Sequence, residues 1–399
     1  MIKKELSYPS FCTSNFDVIE SIFLFAKNYK LPILIESTSN QVNLKGGYTG
    51  LTPKNFIKKL KKLQNFFSIS NDNIIVGGDH LGPIPWKEKN ERTAIKNSIK
   101  LIDEKIKSGY KKIHIDTTIK LKNDLILDKN KIFRRLKKIF LAVSKKNLKE
   151  IYFVFGSEVP AAGGKNKFKY LRTSLNSIKL DYVFYKNLIR NTCLSFSIVI
   201  EPGMGFDNLR IYGLRLKNFK KKLEYSKKNN FSYEAHSTDY QPLKFLKQLV
   251  SNNFKFLKVG PELTNRYLKI VLNLEKIEKK FNFKKKSNIS IVLSDAMNRN
   301  NNFWKDYYLD TNKLEFFKFN SYLDRCRYYW NNKKVISSLK ILKKNINCLL
   351  RKKLLNLLKF SKKNAKIKNK LTLNNFNFLI YLYLVPVLKK YYKACNYKL

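Results

Sequence analysis

The sequence predicts an α/β fold, a TIM-type (β/α)8 barrel followed by a C-terminal helical extension. Eight short runs rich in β-branched and aromatic residues recur through the first two thirds of the chain. Lys-rich segments with apolar residues at helical spacing separate these runs. Strands that alternate with helices form parallel βαβ units, and eight such units favour a closed barrel, although a doubly wound sheet would show the same alternation.

In chain order, the eight predicted strands are Tyr8–Thr13, Pro32–Ser37, Ile74–Gly78, Lys112–Asp116, Ile151–Gly156, Phe196–Ile200, Ser232–Ala235 and Phe254–Val259. The fifth includes the uninterrupted apolar run Ile151–Phe155, which is typical of a strand buried on both faces. Strand-forming runs fade after about Thr264. We therefore expect a barrel over residues 1–264 and a helical extension over residues 265–399 that packs on it.

The formal net charge of +52 would normally indicate a polyanionic partner. However, only 12 of the 81 basic residues are Arg. The guanidinium group of Arg makes bidentate contacts with phosphates and bases and is better suited to them than the ammonium group of Lys. The Lys residues are spread over predicted helix faces, and Asn, Ile, Phe and Tyr are abundant beside them, as in a chain with AT-rich codons. We therefore expect solvated helix surfaces and no nucleic-acid partner.

The cysteines and the apolar runs indicate in which cellular compartment the protein works. Five Cys residues without CxxC spacing argue against a zinc knuckle and against a disulfide framework. The N-terminus lacks the apolar run of a signal peptide, and the stretch Phe378–Leu388 is too short to span a bilayer and contains Pro386. These features predict a cytoplasmic protein with reduced thiols and no membrane association.

Chemically active side chains concentrate at or just after the predicted carboxyl ends of the strands. The three His residues of the chain lie there, namely His80, His114 and His236. Seven acids do so too, in a chain where acids are scarce: Glu36, Asp79, Asp116, Glu158, Glu201, Glu234 and Asp239. Because the chemistry of barrels is built at that rim, this concentration predicts the functional site.

Neutral imidazoles and carboxylates suit a divalent metal such as zinc or manganese, which could polarise a sugar carbonyl or stabilise an enediolate. The preferred ligand set is His80, Glu201 and His236, with Asp79 as a proton-transfer group. These groups could instead form a hydrogen-bonded network that caps the barrel without binding anything. For His114, a satisfied inward-facing histidine is a simpler explanation than a ligand.

Three further segments could contact an anionic substrate. Gly46–Gly50 and Gly163–Gly164 could bring backbone N–H groups close to a phosphate, but tight turns explain them more simply. Lys258 and Gly260 end the eighth strand, near the usual phosphate corner of a barrel. Schiff-base chemistry at Lys258 is an open alternative.

Several motifs resemble those of one known family, in the same order, over roughly Cys12 to Trp330. They are Cys12–Asn15, Ile35–Asn43 with Gly46–Gly50, Gly77–Pro83, Ile113–Asp116, Glu158–Pro160, Tyr233–Gln241, Lys258–Pro261 and Asp324–Trp330. The family comprises the accessory subunits of class II D-tagatose-1,6-bisphosphate aldolase, GatZ/KbaZ-like. The chain departs from it in having no cysteine within Thr117–Leu121 and in carrying Lys165 where the family has an acid.

The resemblance implies a TIM-type barrel and a role in tagatose or galactitol breakdown. In that role a separate catalytic class II aldolase subunit performs the lyase reaction, and this chain supports the activity and stability of its partner. The resemblance also implies an alternative, in which the chain alone is a metal-dependent 4-epimerase that interconverts tagatose 6-phosphate and fructose 6-phosphate. In either role we expect an oligomer that binds a sugar phosphate.

Within these motifs we assign Asp79 and Glu158 to catalysis. The residues assigned to substrate binding are Glu36, Asn40, Asp116, Asp239, Lys258 and Gly260.

Overall fold

The computed structural model describes residues 2–3, 5–144, 148, 150–156, 172–190, 195–216, 219–359 and 373–399. Its strands are β1 (Tyr8–Cys12), β2 (Ile33–Thr38), β3 (Ile74–Leu81), β4 (Lys112–Ile115), β5 (Tyr152–Phe155), β6 (Phe196–Val199), β7 (Gly205–Phe206), β8 (Ile211–Tyr212), β9 (Ser232–Ala235) and β10 (Phe254–Val259). Eight of them form a closed parallel barrel in the order β1-β10-β9-β6-β5-β4-β3-β2, and β7 and β8 form a separate antiparallel pair. The predicted TIM-type barrel is therefore confirmed.

The helices are α1 (Phe16–Tyr29), α2 (Pro53–Phe66), α3 (Glu91–Ser108), α4 (Lys129–Val143), α5 (Leu175–Ile189), α6 (Lys220–Lys228), α7 (Leu243–Ser251), α8 (Pro261–Lys279), α9 (Ile289–Arg299), α10 (Leu314–Asn320), α11 (Lys333–Asn347), α12 (Arg351–Leu357) and α13 (Asn375–Ala394). Short 3-10 turns cover Gly47–Thr49, Asn71–Asn73, Ile84–Trp86, Asn301–Phe303, Thr311–Lys313 and Arg325–Tyr328. The expected division at residue 264 falls within α8, which follows β10 directly, so the division itself stays a prediction.

The C-terminal helix α13 packs on α1, α8 and α7, and its apolar side chains belong to the same buried core as the barrel helices. Tyr392 stacks on Phe25 of α1 at 5.7 Å between ring centroids and donates its hydroxyl hydrogen to the carbonyl of Pro32. The Tyr391 hydroxyl donates to the carbonyl of Thr238, next to the end of β9. The extension is thus bonded to the outside of the barrel and to its rim.

The inside of the barrel is layered, as the alternation of strand side chains requires. Its lower layer is apolar and consists of Tyr8, Leu34, Ile75, Tyr152, Val154, Val199 and Phe256. The layer above is charged, and Gly77 makes room for it: a Cβ atom at that position would lie 2.8 Å from Cγ of Glu36. This charged layer directly supports the rim residues.

The described residues bear on the expectations about membrane association and about the thiols. None of the helices in the described ranges is both long enough and apolar enough to cross a membrane. Cys12, Cys326, Cys348 and Cys395 are free thiols, and Cys193 lies outside the described residues.

Candidate functional site

The three histidines meet at the carboxyl ends of β3, β4 and β9. The ring centroids of His80 and His114 are 4.9 Å apart, those of His80 and His236 5.0 Å, and those of His114 and His236 5.3 Å. One ligand atom from each of them, together with one from Asp79, falls within a set whose members all lie within 4.8 Å of one another. Four ligand atoms this close together could hold a single cation.

A backbone irregularity in β3 produces this placement. The register between β3 and β4 shifts between Gly78 and Leu81, and His80 adopts a left-handed conformation with φ 45°. Such a bulge turns consecutive side chains away from strict alternation. As a result Asp79 and His80, although adjacent in sequence, both reach the cluster. The loop beyond is equally tight, because a Cβ atom on Gly82 would lie 1.7 Å from the carbonyl oxygen of Asp116.

Each imidazole has one ring nitrogen at hydrogen-bond distance from a carboxylate. The pairs are His80 Nδ1 with Asp116 Oδ2 at 2.7 Å, His114 Nδ1 with Asp79 Oδ1 at 2.8 Å and His236 Nε2 with Glu234 Oε1 at 2.8 Å. A carboxylate partner fixes the ring orientation and the tautomer, and it leaves the other nitrogen free to bind a metal. Nε2 of His114 is buried and has no hydrogen-bond partner among the described residues, as expected for such a nitrogen.

Two buried lysines lie beneath the histidines. Lys112 Nζ lies 2.5 Å from Glu36 Oε1 and 2.6 Å from Glu234 Oε2. Lys258 Nζ contacts Asp79, Glu36 Oε2 at 3.2 Å and Glu234 Oε1 at 3.6 Å. Burial by itself would lower the pKa of Lys258, but the charges of Asp79, Glu36 and Glu234 raise it well above its usual value. Because an ammonium is not a nucleophile, this environment argues against Schiff-base chemistry at Lys258.

The protonation states of the rim follow from the same charges. Burial and the charge of Lys258 lower the pKa of His236 to about 3, so its ring is neutral. Burial would also lower the pKa of His80, but Asp79 and Asp116 raise it above the usual value. Burial would raise the pKa of Asp116, but its hydrogen bond with His80 lowers that pKa to about 2. The carboxylates that contact the histidines are therefore ionised near neutral pH.

Glu201 follows β6, which is the neighbour of β9 in the barrel, but its side chain bonds to groups outside the histidine cluster. Its Oε1 accepts hydrogen bonds from the backbone N–H groups of Gly203 at 3.0 Å and Met204 at 3.4 Å. Burial raises the pKa of Glu201 to about 7. The cluster thus contains His80 and His236 of the preferred ligand set and His114 in addition, whereas a ligand role for Glu201 stays a prediction.

The other assigned residues are distributed around the rim. Asp239 Oδ1 accepts the backbone N–H groups of Gly260 at 2.9 Å and Glu262 at 2.8 Å. Asn40 is exposed, and its carbonyl accepts the N–H of Tyr48 at 3.0 Å. Glu158 lies outside the described residues, as do Gly163, Gly164 and Lys165.

The sequence reasoning did not single out Lys112 or Cys12. Cys12 ends β1 and its Sγ lies 3.6 Å from Asp79 Oδ2. A charged residue at the start of the run Lys112–Ile115, which is otherwise typical of a buried strand, is the signal that could have revealed Lys112.

The fold and the rim together define a (β/α)8-barrel protein with a cluster of histidines and carboxylates at the carboxyl ends of its strands. The model of the family described as D-tagatose-1,6-bisphosphate aldolase subunit GatZ/KbaZ-like matches residues 2–396, and the chain belongs to this family. The family resemblance noted in the sequence is therefore confirmed.

Two relatives carry the name of this family, and one solved structure shares its fold. Two proteins named D-tagatose-1,6-bisphosphate aldolase subunit GatZ, from Escherichia coli O7:K1 (strain IAI39 / ExPEC) and O6:K15:H31 (strain 536 / UPEC), are each 30% identical over 353 residues. The alignments cover 84% of this chain and 84% of each relative. A crystal structure described as a probable tagatose 6 phosphate kinase from Sinorhizobium meliloti 1021 is similar with a TM-score of 0.83 and 25% identity, covering 98% of this chain and 100% of that one.

Proposed function

We propose that this chain is the accessory subunit of a class II D-tagatose-1,6-bisphosphate aldolase in carbohydrate catabolism. Its family membership over residues 2–396 and the names of its 30% identical relatives support this role. In this proposal a separate catalytic subunit performs the cleavage, and the present chain raises the activity and the stability of that partner.

We further propose that the rim binds one divalent cation, zinc or manganese, through His80, His114 and His236 with Asp79 beside them. The observation that supports this most strongly is that each imidazole has one nitrogen paired with a carboxylate, while one ligand atom of each ring and one of Asp79 lie within 4.8 Å of one another. Imidazole nitrogens in such carboxylate–histidine pairs are typical ligands of zinc.

The buried charges around the cluster also fit a divalent cation. Four carboxylates and two ammonium groups contact one another or the histidines: Glu36, Asp79, Asp116 and Glu234 against Lys112 and Lys258. When the imidazoles are neutral, as ligation of a metal requires, the carboxylates outnumber the ammonium groups by two charges, whereas without a metal the raised pKa of His80 lets a proton offset part of this excess. Because uncompensated buried charge is costly, a doubly charged cation would stabilise the site.

A divalent cation at this position would polarise the C2 carbonyl of a ketose phosphate and stabilise the enediolate that is left when the C3–C4 bond breaks. We propose that Asp79 accepts the proton that the C4 hydroxyl loses as this bond breaks and returns it when the bond re-forms on the other face of the C4 aldehyde. Asp79 is ionised but only weakly basic, so this role depends on its position. Although burial would raise its pKa, the charges of His80 and Lys258 and its hydrogen bond with His114 hold that pKa well below the usual range. Lys258 and His114 also fix the orientation of the carboxylate, and this positioning is a condition for efficient proton transfer.

This geometry favours one second candidate function, a ketose-phosphate 4-epimerase that acts without a partner. The observation that favours it is the cluster of three histidines and Asp79 at the barrel rim, because such groups could carry the proton transfers of an epimerisation. The two functions predict different behaviour of the isolated chain, because only the epimerase would convert tagatose 6-phosphate to fructose 6-phosphate alone.

The metal proposal is tested by measuring the metal content of the full-length protein and of its His114→Gln, His236→Gln and Glu201→Gln variants. We expect about one metal ion per chain in the wild type and in Glu201→Gln, and a loss of metal in both histidine variants. Loss in Glu201→Gln with retention in His114→Gln would restore the set His80, Glu201 and His236. A metal-free wild type after dialysis against zinc and manganese would refute the metal centre.

The accessory role is tested by mixing the chain with a catalytic class II aldolase subunit and measuring cleavage of tagatose 1,6-bisphosphate. We expect higher activity and a longer half-life at elevated temperature than for the catalytic subunit alone. An unchanged rate and half-life would refute the accessory role. Conversion of tagatose 6-phosphate by the isolated chain, lost in His236→Gln, would establish the epimerase.

A further inference from the structure

The part of the extension between α9 and α11 crosses the barrel rim, and we refer to residues 301–330 as the rim segment. Three loops that follow barrel strands bind it. After β2, the ring of Tyr48 contacts that of Tyr328 with centroids 4.8 Å apart. After β6, the carbonyl of Asn208 accepts the N–H of Tyr322 at 3.1 Å. After β9, the Tyr240 hydroxyl donates to the carbonyl of Tyr322 at 2.8 Å. The rim segment therefore forms part of the wall of the barrel mouth.

The usual phosphate corner of a barrel, at the end of β10 and the start of α8, is already filled by side chains of this chain. Asp239 accepts the N–H groups of Gly260 and Glu262, which would otherwise point at a bound anion. Lys258 is held by three carboxylates, and Lys390 pairs with Glu262 at 2.7 Å. A phosphate at this corner would meet the carboxylates of Asp239 and Glu262, so the anionic end of a substrate needs a different cation.

Arg327 of the rim segment is a cation without a carboxylate in contact. Its Nη1 donates to the carbonyl oxygens of Leu323 and Asp324, and its Nη2 donates to the Tyr328 hydroxyl at 3.1 Å. Within the described ranges no carboxylate oxygen forms an ion pair with it, and Nε has no acceptor. These three bonds hold the guanidinium plane in place and use three of its five N–H groups, so two N–H groups could still meet a phosphate. Burial raises the pKa of the nearby Asp324 carboxyl to about 7, so that group is only a partial counter-charge.

The field of Arg327 reaches phenols on both sides of the barrel mouth. Burial raises the pKa of Tyr48 and of Tyr240, and the charge of Arg327 opposes the rise at each of them. Burial would also raise the pKa of Tyr328, but the charges of Arg325 and Arg327 lower it below the usual value. The rim segment is therefore a region of positive potential that faces hydroxyl groups.

We propose that Arg327, together with the hydroxyls of Tyr48 and Tyr328, forms the subsite for the phosphate group of a ketose phosphate whose carbonyl end lies at the histidine cluster. The guanidinium fork matches two phosphate oxygens, and the phenols supply further donors. The proposal rests on the proposed function, which supplies the class of substrate. It assigns to the C-terminal extension a direct part in substrate selection.

The test is calorimetric titration of the zinc-loaded, full-length protein with tagatose 6-phosphate and with tagatose. We expect the wild type to prefer the phosphorylated sugar by about 10- to 100-fold, as for a charge-assisted contact with a phosphate. Arg327→Met should abolish most of this preference and leave the metal content and the affinity for tagatose unchanged. Arg327→Lys keeps the charge but not the fork, and should retain an intermediate preference.

Arg172→Met is the matched control, because Arg172 is also an arginine near the ends of the barrel strands and its side chain lies against Gly203 in the loop after β6. Its preference should equal that of the wild type. An unchanged preference in Arg327→Met, or a loss in Arg172→Met alone, would overturn the subsite and leave the proposed function intact. A wild type that binds neither sugar would overturn the epimerase function and the subsite together, whereas the accessory role is decided separately by the cleavage assay.

Arg327 also bonds two backbone carbonyls, so its replacement by Met could impair folding. Tyr48→Phe avoids this difficulty, because it removes one hydroxyl and keeps the ring contact with Tyr328. We expect a several-fold weaker preference for tagatose 6-phosphate over tagatose in Tyr48→Phe, with only a small decrease in melting temperature from the loss of its hydrogen bonds with Gln41 and Ser14. The same preference as in the wild type would count against the subsite even if the Arg327 variants did not fold.

Discussion

Replacing Lys112 by Met should destabilise the barrel by about 3–5 kcal/mol at neutral pH, the usual cost of breaking a buried ion pair. The Lys112 ammonium lies between Glu36 Oε1 at 2.5 Å and Glu234 Oε2 at 2.6 Å, and the three side chains are fully buried. Met has nearly the same length and fills the space above the Phe256 ring. The loss is therefore electrostatic, because both carboxylates would then share Lys258 as their only cation in contact among the described residues.

The assay is urea unfolding followed by circular dichroism for the wild type, Lys112→Met, Glu234→Gln and the double variant. Because the two groups interact directly, the double variant should lose at least about 1 kcal/mol less than the sum of the single losses. Lys111→Met is the control, since Lys111 is an exposed neighbour that pairs with exposed Glu150, and it should change stability by less than about 0.5 kcal/mol. Strictly additive losses, or a loss below about 1 kcal/mol in Lys112→Met, would refute this reasoning.

Three further predictions concern other parts of the barrel. Burial would raise the pKa of Asp124, but the ion pair with the buried Arg135 lowers that pKa to about 2. This ion pair therefore stabilises the fold above the usual pKa of 3.8, and the stabilisation is lost as the pH falls towards 2. Asp124→Asn should lower the free energy of unfolding in urea by about 1–2 kcal/mol at pH 7 and by little at pH 2. Burial raises the pKa of Asp324 to about 7, so ionisation of its carboxyl destabilises the fold as the pH rises from about 4 to 7. Asp324→Asn should therefore raise the melting temperature more at pH 8 than at pH 5, and an equal rise at both pH values would contradict this prediction. In Gly82→Ala the new Cβ atom would collide with the carbonyl oxygen of Asp116, so we expect a lower melting temperature and reduced zinc binding. An unchanged metal content would show that the loop can move without disturbing the cluster.

Local patterns in the sequence were sufficient to predict the barrel. Buried strands such as Tyr152–Phe155 and Phe254–Val259 are runs of apolar and aromatic residues, and the helices between them repeat their apolar residues at helical spacing. A strand buried on both faces leaves a continuous apolar run, and a helix buried on one face leaves apolar residues at helical spacing. Both patterns can be recognised within a short stretch of sequence. Every predicted strand is present in the barrel, with ends that differ by a few residues; β3 differs most, since its bulge extends it to Leu81.

The same local reasoning identified the rim as the site, since the ends of parallel strands meet at one face of a barrel. It could not decide which rim residues come together. Glu201 and His114 show this: both follow or end a strand and both are buried, yet Glu201 bonds to backbone N–H groups two and three residues further on, whereas the His114 ring lies 4.9 Å from that of His80. Side-chain direction at a strand end depends on bulges and loop contacts that sequence periodicity does not encode.

The charged layer beneath the cluster shows the same limit at longer range. Lys112 lies 76 residues from Glu36 in the chain, and it pairs with that residue only because closure of the barrel brings β2, β4 and β9 around one axis. Likewise, Arg327 reaches the barrel mouth because the extension folds back over loops that follow β2, β6 and β9. Secondary structure and the location of the rim follow from interactions between residues close in sequence, whereas the identity of the cluster depends on contacts that exist only once the barrel has closed.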